Sequence, residues 1–478
     1  MITFKGRIVQ FGFGAVGKSF FEKLSKEIKF DEYNYFVITR DQEEFEAYVN
    51  LGGVTSNFIV TEINKENYKE IFSKYLKEGD LLIDFADSVG TKDFVEWCAN
   101  RNVMYLNTGE TDWPDHWYSI FEEHDKKAIL MDSYKNQKDK NKYPIVLQHG
   151  NNPGLVSHFV KAGLDYIVET QFKKDKNLKH LSKEGKYNEL AKNLGVKMIH
   201  INDIDLQEVK DDFKEDCLIN PWCIDSFWFE MLSESTFNVG THEIIDYKEK
   251  SNLYNIDKGY FEFKELAVDN KCRTYYPGGY FEGHMVPHEE TITISKFLEV
   301  KENNKVIYRP SVMFLYSPCK YARNFLEKSK GKEGKEIVRG YAYPENWEIL
   351  YMEKITSGTE YVGVLILGDN FKPVWVGNRI ERDFLSKDKK SSYWQTPTIT
   401  PVAMSALAAT CWMLKNKANG GIYFPDDIMD YPYILKIAEK YISKTIYRTF
   451  DKEEIENSLQ TNLDNPQTKN LFVDKKEG

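Results

Sequence analysis

The segment "GRIVQFGFGAVGKSFFEKL" constrains the fold more than any other part of the chain. An apolar run, "RIVQF", leads into glycines at 12, 14 and 17, and a stretch of helical period follows. That order reads as a buried strand, a tight turn and a helix, with the glycines at the G-x-G-x-x-G spacing. Gly12 permits the turn, Gly14 lets a pyrophosphate approach the backbone, and Gly17 lets helix and strand pack closely. Phosphates suit the helix N-terminus, whose free N–H groups and dipole attract anions. Alone the spacing is a weak signal; heading an alternating strand–helix series, it points to a dinucleotide. That series is present. "YNYFVITRD", "DLLIDFAD", "VMYLNTG" and "YPIVLQHG" read as further strands with helical stretches between, so a Rossmann-type, doubly wound parallel sheet is expected.

At 478 residues the chain exceeds one ordinary core, so two to three domains are expected. We place a dinucleotide-binding α/β domain at 1–150 and an inserted mixed α+β substrate and dimerisation domain at 151–385. Within the latter, "KMIHINDID", "TITISKFLEV", "VIYRPSVMFLY" and "YVGVLILG" read as strands of a largely antiparallel sheet. Helices over 386–440, led by the apolar "TPTITPVAMSALAATCWMLKN", return to cover the first domain, and 441–478 reads as a polar tail. No stretch of about 18 apolar residues is present, so no membrane span is expected. "MITFKGRIVQ" lacks a secretory n-region and cleavage site, and six cysteines are scattered without a CxxC pair. Together these argue for the cytoplasm and against a zinc site. A net charge of −10 disfavours nucleic acid and suits a cationic small molecule.

Several loops carry polar groups at strand ends, where ligands bind in such sheets. "ITRDQ" offers Thr39, Arg40 and Asp41 after the second strand. An acid there would favour NAD and an Arg NADP, and NAD is preferred on balance. "FADSVGT" supplies Asp87 and Ser88, the latter equally readable as a helix cap, and "LNTGETDWP" supplies Thr108, Glu110 and Trp113. "HGNNPGLVSHF" supplies Asn151 and Asn152, which could also be capping residues. To the cofactor we assign Gly12, Gly14, Ala15, Val16, Gly17, Thr39, Arg40, Asp87, Thr108 and Asn151. Asp203 and Asp205 alternate along one strand and so share a face. His284 and His288 precede "TITI", and His288 with Glu289 and Glu290 could shuttle protons near neutral pH. Glu360 reads as a surface-turn acid.

The segment "PWCIDSFWFE" sets carboxylates among rings, which is costly unless something compensates. Either an amphipathic helix sends its acids to solvent, or the patch is a pocket for a cation. As a helix, Trp222, Ser226 and Glu230 share a face; as a strand they share a side. Asp225 falls elsewhere and reads as a helix-end or solvent-facing acid.

Taken in order, "GFGAVGK", "LNTGETDWP", "GNNPGLVSHF", "MIHINDIDLQ", "NPWCIDSFWFE", "GTHE", "GHMVPHEE" and "YVGVLILG" resemble the bacterial homospermidine synthases, a group of the saccharopine dehydrogenase-like oxidoreductases. The resemblance runs from roughly 5 to 415. It implies NAD-dependent deamination of putrescine to an imine, attack by a second putrescine (or use of spermidine as aminobutyl donor), and re-reduction with loss of ammonia. It further implies a homodimer with no metal. By position it matches Trp222 to a cation–π contact, Glu230 to an ammonium-binding carboxylate, Asn152 to a polar site amide and His288 to the site histidine. Asp203 stands where the family's acid is one carbon longer, Glu110 is displaced by one position, and Glu360 aligns loosely with a site aspartate.

Two other readings remain open. A saccharopine or carboxynorspermidine-type reductive-amination dehydrogenase would need a cation in the pocket for its substrate carboxylate, and the quoted segments are acidic. A non-catalytic NAD-binding regulator would leave the acid–aromatic segment without a purpose.

Overall fold

A computed structural model describes residues 1–86, 89–109, 111–113, 120, 125, 141–209, 216–385 and 393–473. Asp87, Ser88 and Glu110 lie outside the described residues. The chain divides into two units: Met1–Leu155 with Ile399–Ile442, and Val156–Thr398 with Ser443–Gly478.

In the first unit, seven strands among the described residues form one wholly parallel sheet. Across it the strands run Gly421–Tyr423, Pro144–Val146, Met104–Asn107, Leu81–Asp84, Ile8–Phe11, Tyr35–Thr39 and Phe58–Val60. Ile8–Phe11 is central and fully covered, which is why it reads as a continuous apolar run instead of alternating. Its neighbours are Tyr35–Thr39 and Leu81–Asp84, so the strand order reverses there and a crevice opens at its carboxyl end. Phe11, Phe72, Phe94 and Tyr105 interlock on one face in edge-on and tilted contacts. The helix Ile399–Lys415 packs on Ala15–Glu27 and on Tyr431–Ala438, burying nearly all its length.

The second unit is built on a mixed sheet. Its path runs Ser251–Asn255, Tyr260–Leu266, Glu234–Asn238, Ser311–Ser317, Val196–Asp205, Thr359–Gly368, Val374–Glu381 and Ile446–Thr449. The hairpin Lys271–Tyr276 and Gly279–Val286 joins through Ser311–Ser317. The sheet is largely antiparallel, as expected, but its central pair, Val196–Asp205 with Ser311–Ser317, is parallel. Residues read as a polar tail supply the edge strand Ile446–Thr449, and Phe450, Leu459 and Leu471 enter the core beside Trp375. The sequence signal for that strand is weak because it is short and carries an exposed Arg448 at its centre.

Two local expectations are corrected. "EETITISKF" is not a strand but the helix Glu289–Phe297, with His288 at its N-cap. The β-branched alternation favours a strand, but Glu289 and Glu290 sit in the first turn, where the helix dipole favours acids. Glu360 is not in a surface turn either. It lies in Thr359–Gly368 and is 2% exposed.

One buried ion pair anchors the second unit. Arg309, 1% exposed, donates to the carbonyls of Val239, Ile256 and Asp257 and pairs with Glu299 at 2.9 Å. Removing one partner leaves a buried charge, so Arg309→Met should destabilise by about 3–5 kcal/mol in denaturant unfolding. Arg309→Met/Glu299→Leu should recover part of that loss. A single variant as stable as the parent would refute this account.

Candidate active site

The three glycines of the first turn serve three separate purposes. Gly12 has φ +84°, and a Cβ there would lie 2.9–3.0 Å from the backbone of Phe85 and Ala86. A Cβ on Gly17 would meet Gln10 Nε2 at 2.5 Å and the Gly12 carbonyl at 2.7 Å, so it serves packing. A Cβ on Gly14 would meet nothing within 4 Å; the backbone there faces open space. Gly14 also caps Ala15–Glu27 without any side-chain hydrogen bond, leaving the N–H groups of the first turn, at Ala15 and Val16, for an anion. Gln10 Nε2 pins the turn by donating to the Gly12 carbonyl at 2.8 Å. This cradle fits a dinucleotide.

The other cofactor candidates of the first unit border the same sheet. Thr39 ends its strand and its Oγ1 accepts from the Asp41 N–H at 3.2 Å, while Arg40 is exposed. Thr108 follows Met104–Asn107, and Asn151 is buried with its Oδ1 lacking a partner among the described residues. Asn151 and Asn152 occupy the turn before the helix Leu155–Gln171. Trp113 is structural: its Nε1 donates to Asp93 at 2.6 Å, and its ring packs on Phe94 and Tyr68.

In the second unit the acid–aromatic segment splits in two. The helix is Ile224–Leu232, so Glu230 is helical while Trp222 lies in a bend before it. Helical or strand periodicity therefore does not relate the two residues. The parallel strand Ser311–Ser317 does. Trp222 Nε1 donates to Tyr316 Oη at 3.1 Å, and Tyr316 is the register partner of Asp203. Asp203 in turn lies close enough to Glu230 to disfavour its ionisation. Asp225 is exposed and accepts from the Tyr343 hydroxyl, in line with its reading as a solvent-facing acid.

His288 is the cationic centre of this cluster. Its Nδ1 contacts a carboxylate oxygen of Glu290 and lies 3.9 Å from Glu289, its Nε2 lies 4.0 Å from Glu230, and its ring stacks on Phe314 at 4.2 Å. Burial alone would lower its pKa, but Glu290 first, then Glu230 and Glu289, raise it to about 10. Such an imidazole is charged at neutral pH, so it is a fixed cation or proton donor and not the neutral-pH shuttle expected. Glu230 shows the converse. Burial pushes its carboxyl up to about 8, with Glu289, Glu290 and Asp203 adding and His288 opposing. A second cation beside Glu230 would restore its charge.

Behind Trp222 and Glu230 the sheet contributes three buried acids. Asp203 and Asp205 end one strand, and Glu360 lies across from Asp205 on the next. They are 7%, 2% and 2% exposed. Sequence reasoning misses Asp205 and Tyr316 as site residues and reaches Glu360 only through its loose family match. The alternation of "INDID" already put Asp205 on the face of Asp203, and the period-2 run "SVMFLYS" could have paired Phe314 with Tyr316.

Residues 8–143 match the model of the saccharopine dehydrogenase NADP binding domain. Homospermidine synthase of Mesorhizobium japonicum is 26% identical over 447 residues, covering 91% of this chain and 89% of that one. Homospermidine synthase of Blastochloris viridis is 25% identical over 457 residues, covering 92% and 90%. Among solved structures, homospermidine synthase of Legionella pneumophila in complex with NAD aligns with TM-score 0.84 at 23% identity, over 99% of both chains.

The pairing of His288 with its acids yields a pH prediction. Its raised pKa contributes stability that is complete below about 6.5 and is lost as pH rises through about 10. Melting temperature should therefore fall more steeply between pH 7 and 10 in the parent than in His288→Asn; parallel curves would rule out the pair as the cause. The motifs, the fold and these alignments agree: this is a homospermidine-synthase-like chain with a saccharopine dehydrogenase-type dinucleotide-binding domain.

Proposed function

We propose that the protein is an NAD-dependent homospermidine synthase that couples two putrescine molecules and releases ammonia. The observation that carries this is the concentration of buried and half-buried carboxyls, Asp203, Asp205, Glu230, Glu289, Glu290 and Glu360, around an indole face and the imidazolium of His288. Such a lining suits a flexible chain with an ammonium at each end. When bound, the nicotinamide stores the hydride removed from the carbon beside an amine and returns it to the new Schiff base. The chain's own residues do the rest.

Trp222, oriented by Tyr316, offers a π face over which an ammonium gains roughly 0.5–2 kcal/mol. Glu230 holds an ammonium as a charge-assisted partner and loses its proton as that cation arrives. His288 can donate a proton to the departing amine, since Glu290 holds its imidazolium in place. The acids disfavour substrates carrying an α-carboxylate, because Glu290 already pairs with the His288 imidazolium and Arg323 faces Asp205. That weighs against the saccharopine-forming alternative. The same reading carries a cytoplasmic homodimer with Asn152, Asp203 and Glu110 as site residues, and NAD as the dinucleotide.

Incubation with NAD⁺ and putrescine alone should yield homospermidine and one ammonia per product, without free NADH accumulating. Stoichiometric NADH release, or a requirement for an amino acid, would overturn the proposal. Trp222→Ala and Glu230→Gln should each lower turnover by about tenfold or more, equivalent to some 1.4 kcal/mol, while NAD affinity is retained.

A further inference from the structure

Three carboxyl groups from two adjacent strands meet with little solvent and little positive charge. Asp205 and Glu360 are register partners across the antiparallel pair, and Asp203, on the same face of its strand as Asp205, is near enough for its charge to disfavour ionisation of Glu360. Asp205 Oδ1 is committed to the Gln207 backbone N–H at 2.8 Å and its side-chain Nε2 at 3.0 Å, and Oδ2 has no partner among the described residues. Glu360 Oε2 likewise has none.

The groups facing this trio do not neutralise it. The Ser311–Ser317 strand brings the Tyr316 hydroxyl, held well above its usual range by burial and by Asp203 and Asp205. The helix Lys320–Ser329 brings Arg323, whose charge favours ionisation of Asp205, and Cys319 at its N-cap brings a thiol pushed up by burial. Thr398 and Gln207 are neutral. From the helix Ile224–Leu232, Glu230 adds a further acid, with His288 on its far side. Among the described residues, one partly exposed guanidinium faces three buried acids, a charge imbalance whose burial costs several kcal/mol, so the cluster takes up a proton instead.

We infer that Asp203, Asp205 and Glu360 act as one proton-holding unit, and that a substrate ammonium enters by sending that proton to solvent. The inference rests on the diamine reading of this site, which it extends by adding Asp205 as a binding residue. The exchange balances: one proton leaves the carboxyl cluster, one ammonium charge replaces it, and no bond to carbon changes. Burial raises Asp205 to about 7, with Asp203 adding and Gln207 and Arg323 opposing, and it raises Glu360 well above the carboxylate range. The exchange therefore occurs at neutral pH, where both amines of putrescine are themselves fully protonated and release nothing of their own.

Isothermal titration of the NAD-loaded full-length protein with putrescine at pH 7, in buffers of differing ionisation enthalpy, tests this. The expected slope corresponds to release of more than one proton per diamine, one from the cluster and a further share from Glu230, and the release diminishes as rising pH ionises these carboxyls beforehand. Asp205→Asn and Glu360→Gln should each cut the release at pH 7 by half or more, and Glu230→Gln should leave a measurable fraction of it. Binding without buffer dependence would overturn the inference and leave the diamine reading standing. Release abolished by Glu230→Gln and unchanged in both cluster variants would overturn it too, assigning the proton to Glu230. Absence of saturable binding would remove the diamine reading itself.

Discussion

Desolvation of carboxylates is the constraint around which the second unit is arranged. A sheet that ends one strand in "DID" and begins its neighbour with Thr359 and Glu360 places acids where water hardly reaches. No polypeptide keeps such a cluster fully ionised on the strength of one partly exposed arginine. The remaining choices are protons or ligand cations, and the site is built so that each can replace the other. The imidazolium of His288, clamped by Glu290 and stacked on Phe314, supplies a fixed positive charge on one side. The indole of Trp222 supplies a surface that tolerates cations without adding another negative charge.

This arrangement divides labour between the two ends of a diamine. An ammonium held among buried carboxyls stays protonated and cannot act as a nucleophile. The end that reacts must lie where its proton can leave, so the same acids that bind one amine keep it inert. A site of this kind selects for a ligand with two separated cations, since a mono-cation would leave one buried acid unmatched.

The parallel sheet of the first unit was legible because its strands are covered on both faces and its turn needs three glycines, each for a stated reason. The mixed sheet was legible in its apolar runs and less so at its edges. The helix Glu289–Phe297 was hidden behind β-branched residues that a strand also favours, and only its first-turn acids hinted otherwise. Glu360 reads as a surface acid because a charge near a glycine suggests a turn; its burial depends on neighbours 150 residues or so away, which no local pattern encodes. Trp222 and Glu230 were singled out for a periodicity that the fold does not use. What relates them is Tyr316 and Asp203, two residues on adjacent strands.

The chain passes from the first unit to the second after Leu155, returns at Ile399, and leaves again after Ile442. Neither unit is therefore a contiguous length of polypeptide. During synthesis the parallel sheet lacks its edge strand Gly421–Tyr423 until most of the second unit has been made. The mixed sheet, in turn, lacks Ile446–Thr449 and the core residues Phe450, Leu459 and Leu471 until the chain has passed back through the first unit. Each sheet thus waits on a segment made after the chain returns at Ile399, and a nascent protein exposes two unfinished sheet edges until then.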